Sequence, residues 1–308
     1  MVVCPLLWPL SLSLANPTAS APPKDVAKLG SLTVANLALG TIAWTPKNEQ
    51  DSRKTQALAA FAKEEGVNLI DTAERYGASP VSLIPAALAG LGLPIDKSYL
   101  GGDCESNLAQ WGAGVNVATK FTPTPWRNDA QSVVDACEAS RKRLGVEKIA
   151  LYQIHMPDII QPFKAFGVES RKDEIYWEGL AECYRRGLVE NVGVSNYGTT
   201  MVERAHEALA RRGVPLASNQ IAFNLLCRRD GSLATVEKCA QLGVKVLAYY
   251  PLAMGLLTGK FVPSKLRERG DLRSKDLVRY LEGGQGGTKA TAAFLSLPPA
   301  GHVGSSRW

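Results

Sequence analysis

Val67-Asn68-Leu69-Ile70-Asp71-Thr72-Ala73-Glu74-Arg75-Tyr76-Gly77 is the stretch on which the fold turns. Its first half is a short apolar run of the kind buried strands show. The run breaks at an acid, and a small-residue loop then delivers one tyrosine before a glycine. In a parallel α/β protein, a polar residue closing such a strand stands at the carboxyl edge, where ligands bind. Working outward, three later runs close the same way: Val115–Lys120, Ile149–His155 and Val192–Asn196. An acid, a tyrosine, a lysine and a histidine at successive strand ends read as one active site.

The intervening segments supply the helices. Asp51 reads as the cap of a helix to Glu65, with Leu58, Ala59, Phe61 and Ala62 on one face and Gly66 as its stop. Residues 78–114 read as a weak helix near Ser82–Leu88 and a long loop. Asn128–Leu144 is amphipathic, with Val133, Val134, Cys137 and Leu144 inward and Gly145 closing it. Further helices are expected over Asp173–Arg186, Thr200–Arg212 and Ser232–Leu242. Strands are expected over Asn36–Ile42, Leu216–Ala222 and Val244–Tyr250. This alternation is the cadence of an α/β protein of the (β/α)8 TIM barrel type. After Lys260 no eighth β/α unit is legible, so the barrel is expected to be incomplete at its C-terminal end. Seven strands would leave two edges with unpaired backbone groups. The expected division is a leader over 1–28, disordered or a transit segment, a barrel over 29–262, and an irregular tail over 263–308.

Composition narrows the function. At 308 residues with 45% hydrophobic and 21% charged content, the chain can bury a sizeable core. Its 35 basic against 29 acidic residues give +6, a mild excess that suits an anionic small ligand. No Lys/Arg block is interleaved with aromatics, which speaks against nucleic acid. The apolar run Val2–Ala15 is shorter than a bilayer span and is cut by Pro5 and Pro9, so no membrane anchor is expected. Six scattered cysteines, with no CxxC pair, read as free thiols in a reduced compartment, with no disulfide framework and no metal site. Ser, Thr, Ala and Pro over Ser11–Pro23 suit a short organelle transit segment. No GxGxxG follows the first strand, so a Rossmann site is not indicated.

The motifs, taken together, resemble those of the aldo-keto reductases. Asp71-Thr72-Ala73 with Tyr76, then Ala118-Thr119-Lys120, then Tyr152-Gln153-Ile154-His155 look like that family's catalytic tetrad. Gly193–Tyr197, Ala217–Gln220 and Leu247–Leu252 resemble its nicotinamide-side motifs, and Gly255–Lys260 is similar to a segment closing over the pyrophosphate. The phrase Val117–Arg127 looks closest to plastid-targeted plant and algal members, and the resemblance covers about residues 28–262. It implies a barrel oxidoreductase that uses NADPH, with Ser195, Asn196, Gln220, Tyr249, Leu252 and Lys260 on the cofactor. Arg267, Arg269 and Arg273 could meet phosphates. Two positions and one missing motif depart from the family pattern. Tyr250 stands where a small Ser or Cys is usual, and Met156 where Trp is common. The family's final Ile-Pro-Gly strand with its basic helix has no counterpart.

The side chains suit carbonyl reduction on their own chemistry. A phenol can give a proton to a developing alkoxide, and a nearby ammonium is expected to pull its pKa below about 10. Asp71 would hold Lys120 charged and aimed at Tyr76, while His155 would steer the carbonyl oxygen. Joined to what the resemblance implies, the expected function is hydride transfer from NADPH to a small aldehyde or ketone, with Tyr76 as proton donor and a chloroplast or cytoplasmic location. The alternatives are a cofactor-binding regulatory protein with little turnover, or a truncated, inactive barrel.

Overall fold

A computed structural model describes residues 2–3, 25–42, 44, 48–78, 103–111, 114–159, 171–225 and 231–258. One parallel sheet organises them. Seven of its eight strands are β4 (Ala38–Gly40), β5 (Leu69–Asp71), β6 (Asn116–Phe121), β7 (Leu151–Ile154), β8 (Val192–Ser195), β9 (Leu216–Ala222) and β10 (Lys245–Tyr249), hydrogen-bonded in chain order. Helices alternate with them: α1 (Glu49–Glu64), α2 (Cys104–Trp111), α3 (Gln131–Leu144), α4 (Asp173–Arg185), α5 (Thr199–Ala210) and α6 (Ser232–Gln241). This is the expected (β/α) cadence, curled into a half-barrel and incomplete among the described residues. The eighth unit, the 263–308 tail and the Ser82–Leu88 helix lie outside them.

Two elements were not foreseen. β1 (Val2–Val3), within the stretch read as leader, pairs in parallel with β4, Val2 opposite Ala38 and Val3 opposite Leu39. The curl brings β1 within 8 Å of β10 at the other end of the sheet. Separately, β2 (Val26–Leu29) and β3 (Leu32–Ala35) form an antiparallel hairpin around Gly30, whose φ of +58° suits glycine. α2 also occupies part of the span read as a long loop.

Side chains alternate across each strand, so the sheet has two cores. On β6, Val117 and Phe121 face the helices while Ala118 and Lys120 face the interior. The outer core joins β6–β9 to Val133, Val134, Tyr176, Trp177, Val202 and Leu209 of α3, α4 and α5. The inner core is smaller. Leu29, Leu32 and Val34 of the hairpin pack there on Leu69, Ala118, Leu151, Ala217 and Leu247. The hairpin therefore floors the end of the sheet away from the strand carboxyl ends.

Helix boundaries follow local chemistry. The cap of α1 is Asn48, whose Oδ1 accepts from the Asp51 N–H at 2.8 Å, rather than Asp51 itself. Phe61, expected on the packed face of α1, is 43% exposed, and Ala59 is the buried residue. α3 stops at Gly145, φ +64°, as its sequence implied. No helix among the described residues is long and apolar enough to cross a membrane.

Candidate active site

The catalytic candidates converge because neighbouring strand ends are in register. Asp71 pairs with Ala118, and Lys120 with Gln153. The loop beyond β5 is then stitched to its neighbours, with the Thr72 N–H on Ala118 O at 2.8 Å and the His155 N–H on Phe121 O at 2.8 Å. The tyrosine's own carbonyl accepts from the Cys104 N–H at 3.2 Å, so the N-terminus of α2 supports it. The Cys104 thiol meets Thr41 O and Trp44 O, both at 3.4 Å, and burial pushes its pKa up to about 12.

All four expected catalytic side chains come together. Lys120 Nζ donates to both Asp71 carboxylate oxygens at 2.8 Å, to Thr72 O at 2.7 Å, and to Tyr76 Oη at 3.3 Å. It also lies 4.7 Å from the centre of the Tyr76 ring. Burial alone would push the lysine pKa down, but the Asp71 charge and the contacts to Asp71 and Tyr76 outweigh it and hold the ammonium above its usual range. The His155 ring meets that of Tyr76 edge-on, centroids 5.7 Å apart. Burial, with the Lys120 and Arg75 charges, drives its pKa down to about 3, so the imidazole is neutral at ordinary pH.

One electrostatic expectation is reversed. Lys120 does pull on Tyr76, but burial pushes the phenol upward more strongly, and the nearby Asp71 adds to that, so its pKa lies above 10. The physical reason is that desolvation of the partly buried ring outweighs the attraction of Lys120, so the neutral phenol is favoured. Since Lys120 donates to Oη, the phenol's own proton need not point at the ammonium. The group is thus an acid that stays loaded at neutral pH and is met by a cation once the proton leaves.

Beside the cluster opens a cleft of about 210 Å³, compact against the roughly 300–1,000 Å³ usual for small-molecule sites. Asp71, Tyr76 and His155 line it together with Ser195, Asn196, Gln220, Tyr249 and Tyr250. Four of the cofactor-side candidates therefore share the cleft with the catalytic set. Leu252 does not line it and is 39% exposed. Lys260, Arg267, Arg269 and Arg273 lie outside the described residues.

The cofactor side is built from strand geometry that sequence does not display. The register between β8 and β9 slips, Val192 opposing Leu216 and Gly193 opposing Ser218. This bulge re-aims the side chains beyond it. Gln220 turns inward, its Nε2 donating to Asp71 Oδ1 at 3.0 Å, while the Asn219 Nδ2 reaches outward to Tyr197 O at 2.9 Å. Asn196 sits at φ +63°, donates to His155 O at 2.9 Å and accepts from the Tyr249 hydroxyl at 2.7 Å. An accepting amide oxygen on Gln220, a hydroxyl on Ser195 and an anchored aromatic ring on Tyr249 form a set of groups that fits a nicotinamide carboxamide and its ring.

Two site-supporting residues escaped the sequence reading. Glu74, between Asp71 and Tyr76, and Arg127, in the loop after β6, form an ion pair at 2.7 Å with both side chains buried. Their signal was present only as the Pro-Trp-Arg phrase and an acid inside the first motif.

Comparison with known proteins fits this geometry. Residues 36–294 match the Aldo/keto reductase family, further toward the C-terminus than the motifs alone reached. The chain belongs to the aldo/keto reductase family. It is 35% identical over 249 residues to the chloroplastic pyridoxal reductase of Arabidopsis thaliana, covering 79% of this chain and 64% of that protein. It is 32% identical over 188 residues to the aldo-keto reductase str7 of Strobilurus tenacellus, covering 58% of this chain and 52% of that one. The chain thus spans under two thirds of both relatives. A crystal structure of a Bombyx mori aldo-keto reductase in complex with NADP superimposes with a TM-score of 0.53 and 24% identity, covering 75% of this chain and 67% of that one. That likeness supports the half-barrel.

Proposed function

We propose that this member of the aldo/keto reductase family reduces the carbonyl of a small aldehyde or ketone with NADPH, Tyr76 giving the proton. The observation that carries the reading is the Asp71–Lys120–Tyr76 chain with His155 against the tyrosine ring: Asp71, Tyr76 and His155 line one cleft, and Lys120 lies buried behind them. NADPH, when bound, supplies the hydride. Gln220, Ser195 and Asn196 would hold the carboxamide, and Tyr249 would support the ring. Tyr76 presents its proton to the carbonyl oxygen, and neutral His155 orients that oxygen by hydrogen bonding. As the proton leaves, Lys120 stabilises the phenolate, and Asp71 keeps the ammonium charged and fixed. The resemblance to a chloroplastic pyridoxal reductase favours an aromatic aldehyde such as pyridoxal and a plastid location.

Purified protein should consume NADPH in the presence of pyridoxal or a generic aldehyde. Tyr76→Phe should lower turnover by about 10²- to 10⁴-fold, with NADPH affinity, read from fluorescence quenching, nearly unchanged. Equal loss of both would refute this division of roles. Tight NADPH binding with negligible wild-type turnover would favour a regulatory cofactor-binding protein instead.

A further inference from the structure

We propose that Glu74 and Arg127 form a positioning clamp that sets the distance between Tyr76 and Lys120. The inference rests on the reductase reading for its catalytic consequence, but its geometry is independent of that reading. Glu74 belongs to the β5 loop and stands two residues before Tyr76. Arg127 belongs to the loop that follows Lys120 on β6. Glu74 Oε1 accepts from the Thr122 N–H at 2.5 Å and from Arg127 Nη1 at 2.7 Å, and Oε2 accepts from Arg127 Nη2 at 3.1 Å. The same Nη1 returns to Thr122 O at 3.0 Å, closing the fork on the β6 loop. The Glu74 N–H also meets Lys120 O at 3.4 Å.

Arg127 is itself immobilised. Its guanidinium lies 4.6 Å from the centre of the Phe121 ring, and its carbonyl accepts from the Tyr176 hydroxyl at 2.9 Å. Loop, strand and α4 are thereby tied to one carboxylate. Glu74 is 0% and Arg127 2% exposed, and neither lines the cleft. Burying such a pair contributes little net stability, since desolvation offsets most of the attraction. The fork supplies geometry instead: a planar, two-bond contact that fixes one loop against another. One loop carries Tyr76 and the other continues directly from the strand that carries Lys120, and the 3.3 Å contact between these two side chains is the one that must not drift.

The test compares Glu74→Gln/Arg127→Met, which removes the clamp without stranding a buried charge, with Arg127→Lys, which keeps the charge but loses the fork. Fluorotyrosine at position 76 reports the phenol's environment and titration by ¹⁹F NMR whether or not the protein turns over. In the double variant the resonance should shift and broaden and the titration should move. Its kcat should fall about 10- to 100-fold, with aldehyde KM and NADPH affinity within about threefold. Arg127→Lys should recover part of each effect. A folded double variant with an unchanged Tyr76 resonance overturns the clamp, as does loss of folding in both variants, which would make the pair structural. Absent turnover in the wild type would instead defeat the reductase reading, leaving the NMR result to decide the clamp.

Discussion

His155 shows how one half-buried side chain couples the site to the stability of the whole chain. Its pKa is about 3 in the fold against 6.5 for the free group, because burial and the Lys120 and Arg75 charges penalise the imidazolium. A base whose folded pKa is depressed contributes its stability above the unfolded value. As pH falls from about 6.5 toward 3, the unfolded chain takes up a proton that the folded chain refuses. Stability should then drop by about 1.4 kcal/mol per pH unit from this residue. Urea unfolding across that window should show the slope, and His155→Phe should flatten it by about that amount. The residue was legible at sequence level because it ends a strand. Its neutrality was not, since burial and the approach of Arg75 are properties of three dimensions. The reversed shift on Tyr76 has the same origin: the sequence names the cation but not the enclosure.

Strands were more legible than their connections. β9 falls where expected, Leu216–Ala222, because a short segment opened by Leu216-Ala217 and closed by Ile221-Ala222 between two helices has room for a strand and little else. The hairpin β2–β3 was missed although Gly30-Ser31, between two short apolar runs, is a two-residue turn signal. Its strands are only four residues each, too short for alternation to register. The bulge that aims Gln220 inward leaves no composition trace at all. Helix packing offers a sharper test. A Cβ added at Gly179 in α4 would lie 2.5 Å from Val133 Cβ and 2.7 Å from the Ala130 carbonyl oxygen on the α3 side. Gly179→Ala gains about 1 kcal/mol of helix propensity, yet the clash should cost about 1–3 kcal/mol or more because backbone must move. The clash should win, and a lower urea midpoint with an unchanged slope would report it.

Across the molecule, the candidate site and its support occupy opposite ends of the sheet. Asp71, Tyr76, Lys120 and His155 gather at the strand carboxyl ends, while Asn191 holds the hairpin to the other end. Its Oδ1 accepts from the Ser31 N–H at 2.8 Å, and its Nδ2 donates to Ser31 Oγ at 3.0 Å and Ala150 O at 3.2 Å. Gly30 leaves the room for this contact, since a Cβ there would fall 1.9 Å from Asn191 Oδ1. Asn191→Ala should cost about 1–3 kcal/mol by orphaning the Ala150 carbonyl and the Ser31 N–H. Turnover and NADPH affinity should stay within about twofold, as a thermal melt and an aldehyde assay would show together. Two amides therefore fasten the base plate of the molecule: Asn191 at the turn, and Asn68, which accepts from the Ala35 N–H at 2.8 Å and donates to Thr33 O at 3.0 Å. Libraries drawn at Gly30, Ser31 and Asn191 would let selection adjust heat tolerance on its own, with the reacting groups held constant as an internal control.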